Sequence, residues 1–355
     1  MSYLTAPATD LSRSTPTLQM LSKLAWRYSR TIAGSSPSQP VRHAGFSALV
    51  QVAEKRLCAT DVAVLTLARP DRRPLPAWGP GAHIDVFTPI GRQRHYSLTG
   101  DPADAHSYRI AVRRIPDGAG SAELHDLDEG GTLRIRGPRN AFRLVDEPTY
   151  HFIAGGIGIT PILPMIHQAS ARGARWTLDY LGRSRSAMPF LDELELLADS
   201  GTLRIHCDDE HGMPAIADLF ADVEPSPVYL CGPSGLMDAV NAYLAGTGSP
   251  SPQVHSERFR AAVVRDGAPF TIVLARSGMS VPVAADETAL DAIRRRLPTV
   301  NYSCQQGFCG TCRTGLIAGD IEHRDRVLVA DEQCSNMMIC VSRAAEPGGE
   351  VVLDL

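Results

Sequence analysis

The chain has 355 residues, 44% of them hydrophobic, and a formal net charge of −4. That length predicts two or three domains, and the apolar fraction is ample for real cores. The charge gives no reason to expect a nucleic-acid partner, no apolar run is long enough for a transmembrane helix, and the first residues lack the pattern of a signal peptide.

Residues 1–45 read as an extension rich in Ser, Thr and Pro. Thr15-Pro16 is a helix-start signal, after which Leu18, Leu21, Ala25, Tyr28 and Ile32 share one face. A helix docked on its own protein is the favoured reading. A helix for a partner or a membrane surface, and an organellar targeting peptide, stay open.

Residues 46–147 read as short strands: Ala48–Val52, Val62–Leu67, His83–Phe87, Tyr96–Leu98, Tyr108–Val112 and Thr132–Ile135. Gly/Pro turns such as Trp78-Gly79-Pro80-Gly81 separate them, which predicts a small antiparallel β-barrel. Residues 148–262 change character. Strand-like runs at 150–154, 176–181, 203–206, 228–230 and 254–257 alternate with helical patterns. In one of these, Leu236, Met237, Val240 and Leu244 recur at helical spacing, and Gly246 follows as a stop. Alternating β and α predicts a parallel sheet covered by helices. Residues 259–269 read as a linker. The last stretch, 263–355, has a strand at Phe270–Ala275, a helix carrying Leu290, Ile293 and Leu297 and ended by Pro298, and a final strand at Val351–Leu355.

Eight cysteines are unevenly spread, five of them between 304 and 340. Without a signal peptide this clustering points to metal ligation in a reducing cytoplasm rather than to disulfides. Cys304, Cys309 and Cys312 have the C-x4-C-x2-C spacing of a plant-type [2Fe–2S] site, with a distant cysteine as fourth ligand. Two irons need four converging thiolates, and Gly307 and Gly310 let the backbone wrap them and aim N–H groups at sulfur. Zinc, which takes paired C-x2-C motifs, fits the triplet poorly. Cys340 is preferred to Cys334 as the fourth ligand because it follows the apolar run Met337–Ile339. Cys334 sits in a polar loop and is expected to be a free thiol.

Tyr150-His-Phe-Ile-Ala-Gly155-Gly156-Ile157-Gly158-Ile159-Thr160-Pro161 reads as a strand, a glycine turn and a helix start. Such a turn brings phosphate close to backbone N–H groups at a helix N-terminus, and Pro161 suits the first helical turn. A second turn of this kind is Cys231-Gly232-Pro233-Ser234-Gly235. By itself Cys231 reads as a small buried residue.

Arg94-His95-Tyr96-Ser97 alone reads as a surface strand. Together with the glycine turn at 155–161 and Cys231-Gly232-Pro233, it follows the motif order of the ferredoxin–NADP reductase superfamily. With a plant-type cluster last, the chain resembles the phthalate dioxygenase reductase family, including vanillate demethylase reductase subunits, over residues 46–355. The resemblance implies a multi-domain protein: a flavin β-barrel at 46–147, an α/β NAD-binding domain at 148–262 and a β-grasp ferredoxin domain at 263–355. It puts flavin on Arg94, Tyr96, Ser97, Ala111, Val112, Arg113, Gly120 and Ser121. Ala119 departs from the family's usual glycine in that loop. Gly137-Pro138-Arg139-Asn140-Ala-Phe142 is typical of the FMN-using branch, so FMN is expected rather than FAD. The resemblance puts nicotinamide nucleotide on Gly155, Gly156, Gly158, Thr160, Pro161, Cys231, Gly232 and Pro233, with the ribose near Arg183 and Ser184. Arg183 and Arg185 would suit the extra phosphate of NADPH, whereas NADH, the family's usual donor, is expected. Glu257 and Phe259 match its Glu-x-Phe, with Phe259 covering the flavin or nicotinamide site.

The implied activity is an electron relay from NADH through flavin and cluster to a terminal oxygenase, with no acid–base side chain required. His206 and Asp209 read as structural or nucleotide-proximal. A Rieske non-haem iron oxygenase is the expected partner, docking near Gln305, Gln306 and Phe308, and a cytochrome P450 is the alternative. A monomer is expected. Two other readings are a non-enzymatic iron–sulfur carrier or sensor, and a reductase supplying free flavin.

Overall fold

The computed structural model describes residues 45–116, 118–247, 252–259, 261 and 263–355. The helix expected within the N-terminal extension lies outside them. The described residues form two compact units that divide after Ala261.

The first unit opens with strands β1 (Ser47–Ala59), β2 (Val62–Ala68), β3 (Ala82–Phe87), β4 (Gln93–Ser97), β5 (Ser107–Arg113) and β6 (Thr132–Asn140). They form one antiparallel sheet in the order β4-β3-β6-β1-β2-β5. A bridge from Leu98, just past β4, to Ile110 of β5 joins the two edges into a barrel. Alternation is the cause: Val50, Leu65, Leu67, Ile84, Val86, Ile110 and Val112 point inward and fill the interior. Helix α1 (Ala119–His125) follows β5. The sequence hides it because seven residues show no apolar period; Leu124 is its one large buried anchor.

Strands β7 (Thr149–Gly155), β8 (Arg175–Gly182), β9 (Thr202–Cys207), β10 (Val228–Cys231) and β11 (Val254–Glu257) form a parallel sheet in the order β11-β10-β7-β8-β9. The order reverses between β7 and β10, so their C-terminal ends bound a switch-point crevice. Helix α2 (Ile159–Ala171) leaves β7 after a single 3-10 turn at Gly156–Gly158 and buries Ile159, Ile162, Leu163, Met165 and Ile166. Helix α3 (Ser234–Gly246) leaves β10 and runs through Gly246, the residue expected to stop it, to a cap at Thr247. Barrel and sheet share one core, in which Val62, Val64, Ala111 and Phe142 pack with Phe152, Met165, Tyr180 and Tyr229. Two tyrosines pin the connection between them. Tyr150 Oη donates to the Val145 carbonyl, and Tyr229 Oη accepts the Val145 N–H, both at 2.8 Å.

The second unit contains β12 (Phe270–Leu274), β13 (Met279–Val283), helix α4 (Ala289–Arg296), β14 (Arg313–Ala318), β15 (Ile321–Glu322), β16 (Asn336–Met338), β17 (Arg343–Ala344) and β18 (Glu350–Leu353). The main sheet runs β13-β12-β18-β14-β16, with β12 and β18 parallel and the other pairs antiparallel. Thr288 caps α4, its hydroxyl accepting from the Asp291 N–H, and Leu290 and Ile293 pack with Phe270, Ile272, Val351 and Leu353. This is the β-grasp arrangement expected. Among the described residues, no helix is long and apolar enough to cross a membrane.

Candidate cofactor sites

The cysteine loop leaves α4 and reaches β14, while the end of β16 delivers Cys340. Cys304, Cys312 and Cys340 are buried and Cys309 is half-buried. Their thiols face one another in two pairs, Cys304 with Cys309 and Cys312 with Cys340. The hydrogen bond from Cys304 holds the Cys309 thiol below its ordinary value, and the same contact together with burial raises Cys304. Cys312 is raised by its bond to Cys340 and by burial. Two irons each require two thiolates, and two facing pairs meet that demand. The Gln306 N–H donates to Cys304 Sγ at 3.4 Å, the kind of bond that tunes a cluster. Cys334 lies apart; it is exposed, and its thiol meets the Ala330 carbonyl at 3.6 Å. Gln305, Gln306 and Phe308 are half-buried on the same loop.

On the barrel, the structure brings Arg94 against the start of α1. A Cβ on Gly120 would lie 2.7 Å from Arg94 Nε, so the glycine is what lets the guanidinium lie over that turn. Ser121 Oγ accepts from the Ile115 N–H at 3.1 Å and donates to the Gly118 carbonyl at 2.9 Å, which shapes the loop. Burial raises the Tyr96 hydroxyl well above its ordinary value and keeps it neutral. Val112 points into the barrel core, so only its backbone faces outward, and Arg113 is exposed at the strand end. Sequence reading missed the network beneath this strand. Asp85, fully buried, accepts from Arg136 Nε and Arg139 Nη1, both at 2.8 Å, and lies 3.2 Å from His95 Nε2. The register of β3 against β4, which sets Asp85 opposite His95 and His83 opposite Ser97, is the signal that would have found it.

At the switch point the two glycine turns interlock. A Cβ on Gly158 would sit 2.2 Å from the Cys231 carbonyl oxygen, and one on Gly155 would sit 2.5 Å from Pro233 Cδ. Those two glycines are therefore required by the neighbouring turn. Gly156 differs: its φ is +53°, and the nearest atom to its Cβ position is Arg113 Nη1 at 3.8 Å. The Tyr180 hydroxyl meets the Gly156 carbonyl at 3.2 Å, and Thr160 Oγ1 donates to the Ile157 carbonyl at 3.0 Å, which fixes the turn. Cys231, fully buried, stands opposite Glu257 in the sheet. Burial pushes the Glu257 carboxyl up to about 8, and burial followed by Glu257 raises the Cys231 thiol. His83 Nδ1, from the barrel, lies 3.8 Å from Glu257 Oε1. Phe259 is 49% exposed just beyond.

The residues that the family resemblance puts near the ribose sit past β8. Arg183 is exposed, Ser184 Oγ meets Ser186 Oγ at 3.1 Å, and Arg185 is paired with Glu195 at 2.6 Å. An acidic turn adjoins them: Cys207, Asp209 and Glu210 cluster, and the Asp209 N–H donates to the Arg183 carbonyl at 3.0 Å. His206 is not part of this surface group. Its Nε2 lies 2.7 Å from Asp179 Oδ1, and Asp179 also holds His151 at 2.8 Å and Arg204 at 2.5 Å. Burial opposes ionisation of Asp179, but these three hydrogen bonds outweigh it and hold the carboxyl down at about 2.

Comparison with known proteins identifies the family. Residues 272–345 match the 2Fe-2S iron-sulfur cluster binding domain, and residues 49–144 match the oxidoreductase FAD-binding domain. The phthalate dioxygenase reductase of Burkholderia cepacia is 40% identical over 86% of this chain and 97% of its own. The phenoxybenzoate dioxygenase subunit beta of Ectopseudomonas oleovorans is 42% identical over 84% of this chain and 94% of its own. A solved phthalate dioxygenase reductase, described as modular for electron transfer from pyridine nucleotides to [2Fe-2S], superposes with a TM-score of 0.63 at 37% identity, covering 87% of this chain and 98% of that one. An intact type IV self-sufficient cytochrome P450 monooxygenase superposes with a TM-score of 0.72 at 37% identity over 90% of this chain, which spans 43% of that longer protein. The chain belongs to the phthalate dioxygenase reductase family, the flavin iron–sulfur oxidoreductases that serve as reductase components of oxygenase systems.

Proposed function

We propose that this protein oxidises NADH and passes the electrons, through FMN in the barrel domain at 46–147 and a [2Fe–2S] cluster on Cys304, Cys309, Cys312 and Cys340, to a Rieske-type terminal oxygenase in the cytoplasm. The observation that carries the reading is the pairing of the four thiols in a chain that also contains a switch-point crevice. Bound flavin and cluster together supply the conversion of a two-electron hydride into single electrons. The chain's own residues bind and orient. Arg94, Gly120 and Ser121 form the turn suited to the flavin phosphate, and Tyr96 and Ser97 line the strand beside it, with Ala111, Val112 and Arg113 on the next. Gly156, Thr160, Pro161 and Cys231-Gly232-Pro233 bound the nicotinamide crevice, with Gly155 and Gly158 behind them and Glu257 and Phe259 at its edge. The preference for FMN over FAD rests on the Gly137–Phe142 motif.

The preference for NADH has support at the ribose end. A 2′-phosphate there would meet the acidic turn Asp208–Glu210 beside Arg183, and Arg185 is already paired with Glu195. The resemblance to the self-sufficient P450 reductase module supports a P450 as the second partner class.

The test is to identify the flavin extracted from purified protein and to measure NADH-dependent cytochrome c reduction. FMN with turnover is expected, and turnover is expected to be lost on removing residues 263–355. FAD would overturn the FMN assignment. Flavin present without turnover would overturn the reductase, and turnover surviving the deletion would point to direct flavin delivery. Reconstitution with each oxygenase class then decides the partner.

A further inference from the structure

The segment preceding β12 is held to the ferredoxin unit residue by residue. Arg324 Nη1 donates to the Arg265 carbonyl at 2.8 Å, and its Nη2 reaches the Asp266 carbonyl at 3.3 Å. Glu322 orients this guanidinium with both carboxylate oxygens at 2.8 Å. Gly267 lies so close to Ala285 that a Cβ would be 2.0 Å from its carbonyl oxygen. Arg343, 2% exposed and stacked over Phe270, donates to the Ala268 carbonyl at 2.8 Å, and Pro269 accepts from the Gly348 N–H at 2.8 Å. On the other side, Arg258 is tied to Asp238 of α3 at 2.6 Å. Residues 265–269 of the stretch read from sequence as a linker, 259–269, are thus fastened to the ferredoxin unit, which leaves at most six residues, about 20 Å at full extension, between the two anchors.

Arg324 also stands beside the support of the cysteine loop. The Arg326 N–H donates to the Gly307 carbonyl at 2.9 Å, and Gly307 has no room for a Cβ against Asp325 and Val341. Asp325 accepts from the Val327 and Leu328 N–H groups and from Ser342 Oγ. One short path therefore runs from the linker, through the Arg324 side chain and two backbone residues, to the loop of Cys304–Cys312.

We propose that Arg324 is a positioning residue. It latches Arg265 and Asp266 of the linker to the segment that braces the cluster loop, and so sets the length of the tether through which the cluster is delivered for reduction. The electron-transfer part rests on the relay proposed above; the latch itself does not. Releasing Arg265 and Asp266 would lengthen the tether by two residues, from at most six to at most eight. Effective concentration falls as about the −3/2 power of length, which slows cluster reduction at least about 1.5-fold.

The test uses the full holoprotein with Arg324→Ala, Arg324→Lys and Glu322→Gln. Two readouts are taken: tryptic cleavage after Arg265 followed by mass spectrometry, and stopped-flow reduction by NADH with flavin and cluster observed separately. Arg324→Ala should keep the cluster's electron paramagnetic resonance signal and the flavin reduction rate. It should slow cluster reduction at least 1.5-fold and be cut after Arg265 severalfold faster. Arg324→Lys, which keeps one donor, should recover part of both effects. Glu322→Gln, which leaves Arg324 unoriented, should show both in smaller measure, and it keeps the idea testable should Arg324→Ala misfold. Unchanged cleavage after Arg265 overturns the latch. Faster cleavage with unchanged cluster reduction overturns its part in electron transfer, and an altered cluster signal makes Arg324 a brace of the cluster alone. Failure of NADH to reduce the flavin of the unmutated protein sinks the relay, while the cleavage readout still decides the latch.

Discussion

The cysteine loop and the switch-point crevice both depend on glycine, for different physical reasons. In the loop, Gly310 has φ +75° and open space where a Cβ would go, so its demand is conformational. In the crevice, Gly158 has an ordinary helical φ of −62° and no room at all, so its demand is steric. Within the loop Gly307 is the exception, since it combines φ +79° with a Cβ position 2.7 Å from Val341. Within the crevice Gly156 is the exception, with φ +53° and no atom nearer than 3.8 Å to its Cβ position.

The sharpest way to break this contrast is to remove a ligand. Cys340→Ser should abolish the cluster, read as loss of its electron paramagnetic resonance signal, whereas Cys334→Ser should retain it. The reverse outcome would move the fourth ligand onto the exposed turn. On the crevice side, the largest energetic effect belongs to Glu257. Burial raises its folded value from 4.5 to about 8, so its contribution to stability is fully present below pH 4.5 and is lost as pH rises toward 8, by about 4 kcal/mol. Glu257→Gln should remove that component from denaturant midpoints measured at pH 5 and pH 8. An unchanged pH dependence would mean that the carboxyl is ionised in the fold. Next comes Gly158→Ala, expected to cost about 3 kcal/mol or more because backbone must move away from Cys231. Gly310→Ala should cost about 1–2 kcal/mol, strain only, with the cluster retained. Equal costs at the two glycines, measured by urea unfolding, would erase the distinction between them.

What was legible in the sequence follows the same divide. Covalent demands print themselves locally, so the spacing of Cys304, Cys309 and Cys312 was readable, as were apolar strand runs such as β2 and β10. Demands met across the fold do not. Asp179 gathers His151, His206 and Arg204 from two neighbouring strands, and nothing in the order of those residues announces it. The contact of His83 with Glu257 joins residues 174 positions apart (257 − 83). The packing reason for Gly155 and Gly158 was hidden too, because it depends on Pro233 and Cys231 arriving from another βα turn. Strands β14 to β17 escaped notice because they are short and lie among the cysteines, which dominate the local pattern.

The place of β18 has a consequence for biosynthesis. It lies between β12 and β14, so the sheet that carries the cysteine loop has a gap until residues 350–353 are made. All four of Cys304, Cys309, Cys312 and Cys340 leave the ribosome before that strand does. The barrel and the parallel sheet, whose strands end at Glu257, are complete earlier and can fold as translation proceeds. The loop that carries Cys304, Cys309 and Cys312 thus waits for β18 before its sheet can close.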